Sequence, residues 1–400
     1  MPLANLEEAL EDYKQGKFII VIDDANRENE GDLTMAAEKV TPAAINFAIE
    51  NARGLVCTPV TSERLEELCI PMMVDGANTA TYGTAFTVSI DYINGTTTGI
   101  SSYDRSATIR ALADPSAHSE DFARPGHIFP LRYRDGGVLV RPGHTEASVD
   151  LARMAGLYPA GMVCEILNPD GTMSRLPELE EFSKKHDIRI VSIAQIIAAR
   201  QRSEQLIKRE AEASLPTSYG TFKVVAYTSL VEPGEHLAMV MGNWQVDEPV
   251  LVRIHSECLT GDVFSSSRCD CGDQIRLALS MISKKGSGIF IYLRQEGRGI
   301  GLHNKIRAYS LQDTGMDTVE ANESLGFDSD LRSYDIAAQM LLDLKVRRLS
   351  LATNNPQKID GLAGYGLEIV ERVPLETKVN DENRHYMRTK RARMGHFIQT

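Results

Sequence analysis

Strand-like and helix-like runs alternate along both halves of this 400-residue chain, and a cluster of chain breakers, SLPTSYG at residues 214–220, lies between the halves. Alternation of this kind buries a sheet under helices, so each half is predicted to be an α/β domain. Length agrees, because a single core seldom serves more than ~250–300 residues. The expected architecture is two consecutive mixed α/β domains, each with a sheet flanked by helices, at residues 1–205 and 206–400. In the first half, Asn5 can cap a helix in which Leu6, Ala9, Leu10 and Tyr13 recur at helical spacing and which Gly16 ends. Strands are predicted at 18–22, 54–59, 85–90, 137–140 and 162–166, and helices at 42–52, 108–113 and 145–155. Residues 193–213 read as one helix running into the breakers. Beyond them, strands at 221–227, 250–255 and 288–293 alternate with helices at 271–283 and 334–344.

Charge is uneven. Residues 1–213 hold 21 Lys and Arg against 32 Asp and Glu, whereas residues 214–400 hold 22 against 23. A strongly acidic domain repels polyanions, which disfavours nucleic acid and suits a hard cation with a small anionic substrate. A membrane span needs about 18 consecutive apolar residues. The best run, 191–199, is short and contains Ser192 and Gln195, so no membrane partner is expected. The N-terminus is acidic where a secretory signal is basic and then apolar; the expectation is a cytoplasmic protein.

DDANRENEGD at 23–32 follows the first predicted strand and carries Asp23, Asp24, Arg27, Glu28, Glu30 and Asp32. Carboxylates this close repel one another unless a cation or basic group neutralises them. Taken alone, such a run is ordinarily a solvated loop. Two Arg-Pro-Gly-His copies, ending at His127 and His144, change that weighting. Each Pro-Gly is predicted to form a tight turn that aims its histidine. The second copy leads into a helix with Thr145 as candidate cap, where free amides suit a phosphate. Glu165 stands in the otherwise apolar GMVCEIL. A buried acid is costly unless it pairs, binds metal or works with a raised pKa. TTTGISSYDRS at 96–106 reads as a plain polar turn.

Cys57, Cys69 and Cys164 stand singly in apolar surroundings and read as small core residues. Cys258, Cys269 and Cys271 cluster within RIHSECLTGDVFSSSRCDCGDQ, residues 253–274. In a reducing compartment that spacing points to zinc before disulfide. A closed structural site with His255 as fourth ligand is the bland alternative. Three ligands with an open fourth position is the catalytic pattern, in which zinc lowers the pKa of a bound water to about 7. YLRQEGRGIGLHNK at 292–305 joins Gly297, Gly299 and Gly301 to Arg294, Arg298 and Lys305, a composition suited to phosphates. Five basic residues in 384–393 form either a solvated helix or a counter-charge for an anionic ligand.

DDANRENEGD, GTAFTVSID, TTTGIS, RPGHIFPL, RPGHTEASVDLA and MVCEI, in order over 5–205, resemble the motifs of 3,4-dihydroxy-2-butanone 4-phosphate synthase. The resemblance implies conversion of ribulose 5-phosphate to the butanone phosphate, with one carbon lost as formate and with magnesium or manganese. It implies Glu28 and His144 as metal ligands and His127 and Glu165 as essential acid–base groups. Arg27, Glu28, Asp32, Arg141, Pro142, Gly143, His144, Thr145 and Glu165 would bind the sugar phosphate.

HSECLTGD, RCDCG, YLRQEGRGIGL, LRSYDIAAQML and TNNP, over 218–398, resemble GTP cyclohydrolase II. That resemblance implies opening of the guanine imidazole ring with release of formate and pyrophosphate. It implies zinc on Cys258, Cys269 and Cys271, and magnesium on the GTP phosphates. Arg253, Ile254, His255, Ser256, Glu257, Gln274, Glu296, Gly297, Arg298, Thr318, Thr353 and Lys358 would bind GTP. Asp330 would accept a proton and Arg332 would be a nucleophile toward the α-phosphate. Arginine is protonated at neutral pH, so charge stabilisation is the alternative role for Arg332. A homodimer is also implied. Two rivals are weighed: a zinc-ribbon nucleic-acid protein, against which the net charge of −12 argues, and a chain with one inert half, which the full set of motif residues disfavours.

Overall fold

The computed structural model describes residues 3–25, 27–74, 76, 78–231, 234–245, 247–327, 330, 332, 334–362 and 365–398. Packing divides the chain into two units, Met1–Ser203 and Glu204–Thr400.

The first unit is built on strands β1 (Ile19–Ile22), β2 (Gly31–Ala36), β3 (Cys57–Val60), β4 (Ile90–Tyr92), β5 (Phe122–Arg132), β6 (Gly161–Glu165) and β7 (Arg189–Ser192). They form one mixed sheet in the order β4-β5-β3-β6-β2-β1-β7. Strand β1 shows why it is covered on both faces. Successive side chains point to opposite faces, and Ile20 joins one apolar cluster while Ile19 and Val21 join another. The helix His144–Met154 is buried along most of its length and lies in the second cluster through Ala147, Leu151 and Ala152. Its polar residues are partnered: Ser148 Oγ meets Thr34 Oγ1 at 3.1 Å, and Asp150 meets Arg200 Nη1 at 2.7 Å.

Register sets the site. Asp32 of β2 lies opposite Glu165 of β6, and Ile22, just before Asp23, lies opposite Gly31. Cys57 at the start of β3 pairs with Val163 of β6 and with Phe129 of β5, which puts His127 at the same sheet end. Five neighbouring strands therefore deliver the acidic segment, Glu165 and His127 to one edge.

The second unit holds β8 (Ile207–Thr217), β9 (Gly220–Ser229), β10 (Glu235–Met241), β11 (Val250–Ser256), β12 (Gly288–Leu293), β13 (Arg348–Ala352) and β14 (Glu368–Val373), in the order β14-β13-β11-β12-β10-β9-β8. β11 is parallel to β12 on one side and to β13 on the other. The chain thus reverses its direction of travel at β11, and ligands bind at the carboxyl ends of parallel strands where this happens. Helix Cys271–Lys285 packs Ala278, Leu279 and Ile282 against Leu251 and Phe290.

Several expectations need correction. The helix read at 193–213 ends at Ser203, and residues 207–217 form β8, an edge strand in hairpin with β9. Of the breakers, residues 214–217 pair within β8, Ser218 and Tyr219 make the hairpin turn, and Gly220, at φ +113°, opens β9. Charge and alanine content favoured helix there, but ladder pairing with β9 prevails over propensity. Residues 137–139 form a 3-10 turn instead of a strand, because Asp150 draws in the Val138 amide at 2.8 Å. The first Arg-Pro-Gly-His lies inside β5 and not in a turn. Thr145 does not cap its helix: Gly143 is the N-cap, and no side chain caps it.

Asp150 is the hinge of this local order. It is buried and also accepts from Tyr133 Oη at 2.9 Å. Arg200→Met should leave that carboxylate without its counter-charge and cost about 3–5 kcal/mol. Hydrogen exchange at Val138 and along His144–Met154 would show the lost protection; an unchanged pattern would deny the ion pair this role.

Candidate active sites

In the first unit, the loop after β1 is folded around Asp23. One carboxylate oxygen accepts from the Glu28 amide at 2.9 Å and from Arg27 Nη1 at 2.9 Å, and the other from the Glu30 amide at 2.9 Å. Asp23 is thereby occupied with the loop, and Glu28 is presented toward His144, whose Nδ1 lies 3.4 Å from Glu28 Oε2 and 4.0 Å from Asp32 Oδ1. Candidate ligand atoms of Asp23, Glu28 and His144 all lie within 4.8 Å of one another.

The electrostatics are those of an under-neutralised acid cluster. Burial pushes Asp32 well above the usual carboxylate range, Glu165, Glu28 and Glu30 add to this, and His144 opposes it. Burial disfavours a charged His144, but Asp32, Glu28 and Asp23 outweigh it and raise the imidazole to about 9. His144 Nε2 is buried without a hydrogen-bond partner, an arrangement that ordinarily signals a missing ligand. Oxygen donors with one imidazole suit magnesium or manganese.

His127 belongs to a second pairing. Its Nδ1 lies 2.6 Å from Asp91 Oδ2, and its amide donates to Asp91 Oδ1 at 2.8 Å. Asp91 thus fixes the ring and leaves Nε2 toward solvent. The sequence reading missed Asp91; its only signal was the end of GTAFTVSID. The TTTGIS segment, read as a plain turn, supports this pair. Asp104 accepts from Thr97 Oγ1 at 2.7 Å and from the Gly99 amide at 3.0 Å. Gly99 has φ +94°, and a Cβ there would overlap the Asp91 carboxylate and His127 Nδ1. Arg141 is tied to Glu146 at 2.5 Å and to the Tyr82 carbonyl at 3.0 Å, just before the uncapped helix start at Gly143. Pro142 sits within this turn, and Thr145 is buried in the first helical turn behind it.

In the second unit, a cleft opens at the carboxyl ends of β11, β12 and β13. Its lining includes Arg253, His255, Ser256, Glu257, Gln274, Glu296, Gly297, Arg298, Thr318, Arg332, Thr353 and Lys358, and all three clustered cysteines. Ile254 points elsewhere, fully buried, and contributes its carbonyl to Lys358 Nζ at 2.6 Å. Asp330 is withdrawn behind Arg332, which grips it through two hydrogen bonds, Nε to Oδ1 at 2.8 Å and Nη2 to Oδ2. Burial opposes the charge on Arg332, but Tyr334 and Asp330 raise its pKa above the ordinary value.

The Cys258, Cys269 and Cys271 sulfurs lie within 4.8 Å of one another, with 3.7 Å between Cys258 and Cys269. His255, the alternative fourth ligand, is engaged by Asp262 at 3.1 Å through Nε2. Among the described residues no histidine or carboxylate joins the trio as a fourth ligand. Sulfur hydrogen bonds and Lys305 hold the Cys258 thiol far below its ordinary value, while Cys269 is pushed up to about 11. Three thiolates cannot coexist here unaided; a divalent ion would displace the remaining protons.

Tyr386 and His396 of the C-terminal segment also line the cleft and were not singled out in the sequence, whereas Lys390 belongs to the basic run at 384–393. Asp270, between two of the cysteines, was missed as well. Asp270 accepts from Lys390 at 2.6 Å and from Gln274 at 2.7 Å, and so joins the basic tail to the cysteine loop. Gln274 in turn orients Arg253 at 2.6 Å.

Comparison with known proteins matches each unit to a family. The family model described as 3,4-dihydroxy-2-butanone 4-phosphate synthase matches residues 7–199, and that described as GTP cyclohydrolase II matches residues 208–374. The riboflavin biosynthesis protein RibBA of Bacillus mycoides is 56% identical over 393 residues, covering 98% of each chain. That of Aquifex aeolicus is 57% identical over 396 residues, covering 98% of this chain and 97% of its own. The chain belongs to the RibBA family of bifunctional riboflavin biosynthesis enzymes. A crystal structure of RibBX, a two-domain 3,4-dihydroxy-2-butanone 4-phosphate synthase from A. baumannii, covers 94% of this chain and all of its own, with a TM-score of 0.72 and 34% identity. Within the RibBA family, the first unit is the synthase domain and the second the cyclohydrolase domain. No helix among the described residues is long and apolar enough to cross a membrane.

Gly99→Ala should part the Asp91–His127 pair. Formate release from ribulose 5-phosphate is expected to fall ~10²-fold, while formate release from GTP stays unchanged. Retained synthase activity would remove the pair from the catalytic account.

Proposed function

We propose that the two sheet ends are the two active sites, one for ribulose 5-phosphate and one for GTP. The observation that carries this reading is the convergence of three sulfurs, with no fourth side-chain ligand among the described residues, in a cationic cleft. An acid cluster with a partnerless imidazole nitrogen is its counterpart in the first unit.

In the first site, Glu28 and His144 would hold magnesium or manganese, which supplies Lewis acidity toward the sugar oxygens. The helix start after Gly143, which no side chain caps, would bind the phosphate with Arg141 beside it. Arg27 and Asp32 border the sugar. Glu165 receives the Leu55 amide at 2.8 Å, so its carboxylate is held in place, and it moves protons together with His127. Asp91 keeps the His127 proton on Nδ1, which leaves Nε2 as the base.

In the second site, Cys258, Cys269 and Cys271 would hold one zinc ion, which supplies Lewis acidity toward a water molecule. Arg253, Arg298, Lys358 and Arg332 face the triphosphate, on which magnesium would also sit. Burial first, then Arg253, Arg332 and Lys390, lowers Lys358 well below its ordinary value, and an incoming polyanion would oppose that shift. We assign Arg332 to charge stabilisation, because Asp330 holds it as a protonated fork. Asp330 becomes a proton acceptor once GTP draws Arg332 away. A homodimer follows from the resemblance alone, and thiols kept for metal fit the cytoplasm.

Metal analysis should give about one zinc per chain, and a zinc-selective chelator with magnesium resupplied should abolish only the GTP reaction. Glu165→Gln and Cys269→Ser should each silence one reaction by ~10²-fold or more. If either change abolished both, the assignment of separate sites would fall.

A further inference from the structure

We propose that Lys305 is a positioning residue for the GTP reaction, acting through Cys258. Its ammonium is clamped by Glu296 and holds positive charge against one of the three thiolate ligands, which keeps the bound ion electrophilic. This rests on the reading of the cysteine trio as a metal site.

Lys305 ends the glycine-rich segment that its composition marks as phosphate-binding, and it lies on the helix Gly301–Asp313. The geometry gives it a different task. Lys305 Nζ donates to Cys258 Sγ at 3.1 Å and to Glu296 Oε1 at 2.8 Å, and the residue is buried. Its charge is therefore committed to sulfur and carboxylate. Glu296 is equally committed. Oε2 takes the Leu259 amide, next to Cys258, at 2.7 Å, and Oε1 also takes the Gly297 amide at 2.8 Å. Carboxylate, ammonium and sulfur thus form one chain of contacts from the turn after β12 to the cysteine loop. Thr260 Oγ1, 3.7 Å from Cys258 Sγ, leads to Tyr309 Oη at 3.3 Å, and that ring faces Lys305 Nζ at 5.7 Å.

The charge count explains the need. Three thiolates on a divalent cation leave one negative charge, and donation from three sulfurs quenches the acidity that the reaction uses. A hydrogen bond from a cation withdraws density from one sulfur and restores that acidity. Glu296 prevents the ammonium from turning into the cleft.

The test uses the full chain loaded with cobalt(II) in place of zinc, because the sulfur-to-cobalt absorption reports only thiolate-bound metal. In Lys305→Met, loss of the positive charge raises the sulfur lone pairs in energy. The band should move to longer wavelength, and kcat for GTP should fall about 10-fold or more with KM unchanged. Lys305→Arg should keep the band near its original position. Lys305→Gln, which keeps a donor without the charge, should shift it by less than Met does. An undiminished intensity of the cobalt–thiolate band checks that the second unit is folded in each variant. An unmoved band, or a loss seen in KM and not in kcat, would overturn the proposal and make Lys305 a nucleotide contact. An original chain that takes up cobalt without any thiolate band would instead remove the metal reading itself.

Discussion

Charge of one sign, crowded at the end of a sheet beyond what neighbouring side chains neutralise, is the constraint on which both units depend. Like charges a few ångströms apart in a partly buried site are tolerated only with a partner. In the synthase unit Glu28, Glu30, Asp32 and Glu165 face Arg27, Arg175 and His144, and the excess is negative. In the cyclohydrolase unit the three sulfurs are one such crowd. The cations Arg253, Arg332, Lys358 and Lys390 are another, with Lys390 held by Asp270 and Arg332 by Asp330.

The strands make this crowding affordable. Side chains at a sheet end are held by ladder pairing, so their positions are fixed before any ligand arrives. Asp32 faces Glu165 because β2 and β6 are antiparallel with that register, and a slip of one residue would turn both to the opposite face. Behind them the His144 helix is locked by Ser148 and Asp150. Polar groups inside the unit thus set the angle at which His144 and the start of its helix are presented.

Much of this was legible in the sequence, because it was written in local patterns. Apolar runs gave β1, β6, β11 and β12 nearly to the residue, and the cysteine spacing gave the trio. What escaped depended on contacts far apart in the chain. Asp91 meets His127 across 36 residues, and Lys390 meets Asp270 across 120. The strand at 207–217 looks helical until β9 is present to pair with it. Glu296 and Lys305 were recognised as polar and basic, but only the fold shows that they face each other and a sulfur instead of a phosphate.

Net charge proved a coarse guide for the second unit, and the reason bears on its ligand. Arg253, Lys358 and Lys390 are buried around the cleft, whereas the surface carries both signs, with Lys208, Arg209, Glu210 and Glu212 all exposed on one strand. A nucleic-acid backbone needs a basic stripe on the surface, where successive phosphates can lie and release counterions. Cations sunk in a cleft can meet only a small anion that enters it. A positive interior focused in the cleft gathers the phosphates of a small anion that can enter it, which a surface of mixed charge does not do for a polymer.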